Sequence, residues 1–191
     1  MKSILISGGK LFLICAVAAT SLGALNELTE PIIRERRLQE LREALSALAG
    51  TDVVGEKTLV EDNRLVDSSY PVFDQTGEQA LGGYILSLVA DGYGGDMAIL
   101  ARFHLTGEIA AVKLMDNLET PGLGKKAESV LYMDKFVGTG GVGNDKKVPV
   151  RKDMLPRAQA DAVSGATITF MGIAKALAEG SEFVEERESG S

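Results

Sequence analysis

Ser164-Gly165-Ala166-Thr167 places two hydroxyls around a glycine and an alanine, close behind Asp161. Downstream, Ile168, Met171, Ala174 and Leu177 recur at helical spacing. This spacing predicts a helix that starts at or beside Thr167 and ends before Gly180. A helix start offers unpaired N–H groups and a positive dipole end, both suited to a phosphate. Gly165 lets backbone approach a ligand closely, and Ala166 adds little bulk. The hydroxyls have a second possible use, because either Ser164 or Thr167 could serve only as an N-cap. The four residues alone leave both uses open.

Other candidate stretches carry less chemistry. Glu119-Thr120-Pro121-Gly122-Leu123-Gly124-Lys125-Lys126 reads as a tight, shaped loop. Taken alone it connects to a helix expected from Lys125 to Phe136. Gly138 to Asn144 holds four glycines. It lacks the strand–turn–helix frame and distal acid of a dinucleotide fingerprint, and no Gly-Lys-Ser/Thr follows it. His104 falls on the polar side of an alternating strand, where a solvent-exposed role is expected. One His and one Cys exclude a Cys/His zinc site, and Cys15 has no intrachain disulfide partner. No acid–base pair or nucleophile triad stands out.

The elements that must position these residues follow from composition and pattern. The chain has 191 residues, 45% of them apolar, enough for one domain and an appendage. Its net charge of −7 argues against nucleic acid, which demands a basic face. Ile4 to Leu25 is apolar or small except for Lys10, and as a helix would span roughly 33 Å, against about 30 Å for a bilayer core. Three readings compete here. A retained transmembrane anchor is preferred. A signal peptide cleaved near Ala16-Val17-Ala18 is second. A lipoprotein signal ending at Cys15 is third, weakened by Ile14. Lys2, Lys10 and the amino terminus make the N-terminal side basic, but Arg34, Arg36, Arg37 and Arg42 follow the segment. The positive-inside rule therefore does not orient it.

Thr29-Glu30-Pro31 predicts a new helix start, with Thr29 as cap and Pro31 in the first turn. Leu38, Leu41, Leu45 and Leu48 form its stripe, and Gly50 stops it. From Thr51 the pattern turns to strands: Thr58 to Val60, Arg64 to Val66, Tyr70 to Phe73, Tyr84 to Val89, Met97 to Leu105 and Ile109 to Met115. Asp91-Gly92-Tyr93-Gly94-Gly95 and Thr106-Gly107-Glu108 are turns. The acidic, polar end from Glu179 to Ser191 is expected to be disordered.

Asp-x-x-Ser-Gly-Ala-Thr, ending at Thr167, resembles the flavinylation motif of proteins that carry FMN on a threonine through a phosphoester bond. With the N-terminal apolar segment, Gly92-Tyr93-Gly94-Gly95 and Glu119-Thr120-Pro121-Gly122-Leu123-Gly124, it resembles the G subunit of the Rnf electron-transport complex. The resemblance covers nearly the whole chain apart from the acidic end. Its two main motifs are specific as a pair and weak singly. The C subunit of the sodium-pumping NADH:quinone reductase shares both motifs in a longer chain and is the alternative.

The resemblance implies a single-pass flavoprotein of the bacterial inner membrane, with its C-terminal domain on the periplasmic side. It would be a redox subunit of a complex coupling ferredoxin/NAD electron transfer to ion translocation. FMN would be covalently held on Thr167, with Ser164, Gly165 and Ala166 shaping the turn. Glu119, Thr120, Leu123 and Gly124 would lie against the flavin. The implied partners are the other membrane subunits and a flavin transferase that takes FMN from FAD. The expected fold is α+β: a transmembrane helix (1–25), a stalk helix (26–50), an antiparallel-sheet FMN-binding domain flanked by helices (51–180), and a disordered acidic tail (181–191). A cofactor-free tethered scaffold and a secreted soluble enzyme are the competing functions.

Overall fold

The computed structural model describes residues 2–75, 80–117 and 124–190. The chain divides into two compact units, 1–42 and 43–191. A single helix, α1 (Lys2–Ala49), fills the first and ends in the second. The expected break into anchor and stalk at Thr29-Glu30-Pro31 does not occur. Pro31 sits inside α1, and the Thr29 hydroxyl donates to the Leu25 carbonyl at 2.8 Å instead of capping a new helix. A proline removes one hydrogen bond, whereas propagation on either side adds one per residue. Among the described residues, Ile6–Ala49 is the one helix long and apolar enough to cross a membrane, and none of its apolar window is buried. Gly50, at φ +66°, turns the chain away after Ala49.

The second unit is built on an antiparallel sheet, as the strand pattern predicts. Its strands are β1 (Val53–Val54), β2 (Thr58–Leu59), β3 (Val66–Phe73), β4 (Leu81–Asp91), β5 (Asp96–Phe103) and β6 (Ile109–Asp116). Their order is β1-β3-β4-β5-β6, with β2 also paired to β3. Of the strands expected at Arg64 to Val66 and Tyr70 to Phe73, the second lies within β3, which takes only Val66 from the first. Tyr84 faces Phe103, Leu86 faces Ala101 and Leu88 faces Ile99 across β4 and β5. These pairs share one side of the pleat, and all six residues are buried.

That side is covered by the long C-terminal helix α4 (Thr167–Ser189). The expected stop before Gly180 is overturned, and the physical reason is packing. A Cβ on Gly180 would come within 2.8 Å of Phe103 Cζ and 3.3 Å of Leu86 and Leu88. Gly180 thus lets the helix lie close on the sheet. The disordered tail expected from 181 is overturned with it. Ser181 and Val184 are buried, and the Tyr84 hydroxyl meets Glu188 at 2.8 Å. Arg187 reaches Ser69 at 3.2 Å and lies over the Tyr84 ring.

The helix expected from Lys125 to Phe136 is also corrected. The segment forms a 3-10 turn (Gly124–Glu128) and then the single-turn α2 (Val130–Met133). Ala127 and Phe136 would fall on opposite sides of a regular helix of about 3.6 residues per turn. In the broken form both are fully buried. A second 3-10 turn (Lys152–Met154) and the short α3 (Arg157–Ala162) lead into α4.

Candidate functional site

The start of α4 is not capped by a side chain. Its N-cap residue is Ala166, and neither Ser164 nor Thr167 fills that role. Alanine is a poor N-cap because it offers no oxygen to the first N–H groups. The capping use left open by the sequence is therefore not the one adopted. Phe170 N–H closes the first helical bond, on the Ala166 carbonyl at 2.9 Å. The N–H groups before it point out along the axis at the positive end of a 23-residue helix.

Gly165, at φ +85°, reverses the chain between α3 and α4, and the Ala166 N–H bonds the Val163 carbonyl at 3.1 Å. Val163 and Ala166 are buried beneath the turn, while Ser164 and Thr167 are exposed above it. The alternation fixes the turn from below and leaves Ser164 and Thr167 on its exposed side.

Three other pieces of chain border this turn or the first half of α4. The first follows the Gly-Leu-Gly loop. Phe136 stacks on Phe170 with ring centroids 5.4 Å apart, and Tyr132 meets it edge-on at 6.5 Å. The 3-10 turn beginning at Gly124 also packs against α4. Of the expected loop residues, Gly124 is placed and buried; Glu119, Thr120 and Leu123 lie outside the described residues. The second piece is the β4–β5 turn. Gly172 lies so close to it that a Cβ there would be 1.9 Å from the Asp91 carbonyl oxygen. Gly92-Tyr93-Gly94-Gly95 begins at the next residue. The third piece is the 3-10 turn at Lys152, whose ammonium donates to the Ser164 hydroxyl at 2.6 Å.

Sequence reasoning missed Lys152. It stands twelve residues before Ser164 in no recognisable motif, and only the path through α3 brings it to the turn. Lys135, another cation in the adjoining segment, is held differently. It donates to the Leu131 and Tyr132 carbonyls at 3.2 and 3.4 Å and lies over the Tyr132 ring. Burial lowers its pKa from the usual 10.5, partly opposed by Asp134.

The arrangement can receive a phosphate. An exposed hydroxyl opens an uncapped helix, a cation is bonded to Ser164 three residues before it, and Ile168 and Met171 are exposed on the same helix. Nothing in it suits a metal: among the described residues no group of His, Cys, Asp and Glu could hold one.

Similarity to known proteins agrees with this geometry. A family model described as an FMN-binding domain matches residues 92–182, from the Gly-rich turn into the second half of α4. The chain is 30% identical to the G subunit of an ion-translocating oxidoreductase complex from Shewanella baltica, over 93% of this chain and 88% of that protein. It is 31% identical to the protein of the same name from Vibrio vulnificus, over 90% of this chain and 85% of the relative. A third, from Stutzerimonas stutzeri, is 32% identical over 90% and 76%.

Proposed function

The chain belongs to the family of G subunits of ion-translocating oxidoreductase complexes, and from that premise we propose that it relays electrons through FMN esterified to Thr167. It is a membrane flavoprotein, a redox subunit of a larger assembly, anchored by the apolar part of α1. The observation that carries the assignment to Thr167 is its position as the exposed first residue of a helix that no side chain caps.

FMN supplies the electron-transfer chemistry when bound; the chain supplies attachment and surroundings. Thr167 Oγ1 holds the phosphate, and the N–H groups at the start of α4 meet its charge. Gly165 and Ala166 keep the turn low enough for a close approach, and Ser164 presents a hydroxyl beside it. Glu119, Thr120, Leu123 and Gly124 lie against the flavin in this reading. Their support is the packing of the segment after Gly124 onto Phe170. A tether suits a relay, because a cofactor that dissociated would interrupt the chain of transfers.

The partners in this reading are the other subunits of the complex and a flavin transferase that installs FMN from FAD. The complex couples ferredoxin/NAD electron transfer to ion movement. The C-terminal domain stands on the periplasmic side of a bacterial inner membrane. That placement rests on the family resemblance, since basic residues flank both ends of the apolar stretch.

Intact mass decides between this reading and a cofactor-free scaffold. Full-length protein co-expressed with a flavin transferase is expected to gain a flavin phosphate that survives denaturation, and Thr167→Ala to gain nothing. A wild-type chain without added mass under these conditions overturns the covalent assignment. A gain that persists in Thr167→Ala moves it elsewhere.

A further inference from the structure

We propose that Lys152 is the cationic residue of the attachment site, neutralising the phosphoryl group as it is transferred to Thr167; this rests on the covalent FMN reading above. Lys152 is half-buried on its 3-10 turn, and its ammonium donates to Ser164 Oγ at 2.6 Å. That hydroxyl passes its own proton toward the Ala160 carbonyl at 3.3 Å. Ser164 thus holds the ammonium at the turn that ends in Thr167.

Among the described residues, no carboxylate lies in ion-pair range of Lys152, whereas its neighbour Arg151 is held by Asp153 at 3.0 Å. An ammonium has three donors, and one is used here. The other two are available to phosphoryl oxygens. The 3-10 turn itself packs against α4. Its cation is therefore carried by a fixed element. Lysine suits this role as a compact point charge on a flexible stem.

The transfer balances without an oxidant. Thr167 Oγ1 forms a new P–O bond to the flavin-side phosphorus of FAD, and the P–O bond of the pyrophosphate bridge breaks. AMP leaves with the bridging oxygen, and the threonine proton is released. Charge gathers on the phosphoryl oxygens and the departing phosphate as that bond breaks. Lys152 faces that charge from the Ser164 side, and the α4 N-terminus faces it along the helix axis.

The test is the initial rate of mass gain when purified full-length chain in detergent is incubated with FAD and a flavin transferase. Thr167→Ala is the blank. Lys152→Met is expected to slow attachment by roughly tenfold or more, the scale of a lost hydrogen bond to a charged group. Lys152→Arg is expected to recover most of the rate. A melting curve unchanged from wild type in both variants shows that the fold is retained. Wild-type rates in Lys152→Met, with Thr167→Ala still blank, overturn the role of Lys152 and leave the flavin reading standing. Equal slowing in Lys152→Met and Lys152→Arg also overturns it, because a charge role predicts rescue. No mass gain in the wild type overturns the flavin reading itself.

Discussion

Phe136 lies stacked on Phe170, ring centroids 5.4 Å apart and planes 20° from parallel. One ring ends the segment that follows the Gly-Leu-Gly loop, and the other sits on the first turn of α4. Two motifs distant in sequence are thus joined through their flanks by a buried aromatic pair. Phe136→Ala is expected to cost about 3–5 kcal/mol, read as a lower denaturation midpoint. Flavin attachment is expected to slow as well, since the α4 start loses its support. Phe136→Leu, which keeps most of the volume, should recover much of the stability.

Three hydroxyls near the turn predict three outcomes. Thr167→Ala abolishes attachment, because alanine has no oxygen to esterify. Its effect on stability stays within about 0.5 kcal/mol, since Thr167 is exposed and is not the cap. Thr169→Ala leaves attachment intact, because that side chain is buried. Ser164→Ala slows attachment without ending it, through loss of the Lys152 anchor. Intact mass after co-expression with a flavin transferase separates them, and loss of the mass gain in Thr169→Ala would refute the assignment.

Gly180 is predicted to be more sensitive than a helix glycine usually is. Alanine raises intrinsic helix propensity by about 1 kcal/mol. Its methyl would press on Phe103 at 2.8 Å and on Leu86 and Leu88 at 3.3 Å. Gly180→Leu is expected to destabilise by about 1–3 kcal/mol through overpacking, as measured by chemical denaturation. A neutral Gly180→Leu would contradict the packing role.

Arg102 fastens the C-terminal end of α1 to the sheet. Its guanidinium donates to the Leu48 and Ala49 carbonyls at 3.1 and 2.8 Å and pairs with Asp52. Arg102→Met is expected to cost about 1–3 kcal/mol, because it leaves helix-end carbonyls and a carboxylate without their donor. Hydrogen exchange at residues 46–52 is expected to rise. Unchanged protection there would show that the tie carries no weight.

The end of α4 carries a pH dependence. Burial, and then the hydrogen bond to Glu188, raise the Tyr84 pKa above its ordinary 10.0, with Arg187 opposing. A group whose folded pKa is raised adds stability below its unfolded pKa. That stability is lost as pH rises through the folded value. Thermal melts are therefore expected to fall more steeply above pH 10.0 in the wild type than in Tyr84→Phe. Parallel curves would remove Tyr84 from the account.

Local pattern was enough wherever the outcome depends on neighbours a few residues away. The alternation of Ala101 and Phe103 with Arg102 gave β5 its two sides, and the apolar run from Ile4 marked the part of α1 long and apolar enough to cross a membrane. The small-residue turn before Ile168 marked where α4 begins. The flavin came only through the resemblance carried by the motifs, since no periodicity encodes a cofactor.

Contacts between distant parts of the chain settled the rest. Gly180 reads as a stop by local propensity, but the nearness of Phe103 makes it a contact. Ala127 and Phe136 read as one helix until both must be buried, and then the segment breaks. Lys152 reads as one cation among many until α3 folds it onto Ser164. At Gly180 and between Ala127 and Phe136 a short-range preference of about a kilocalorie per mole meets packing worth several, and the larger long-range contribution prevails.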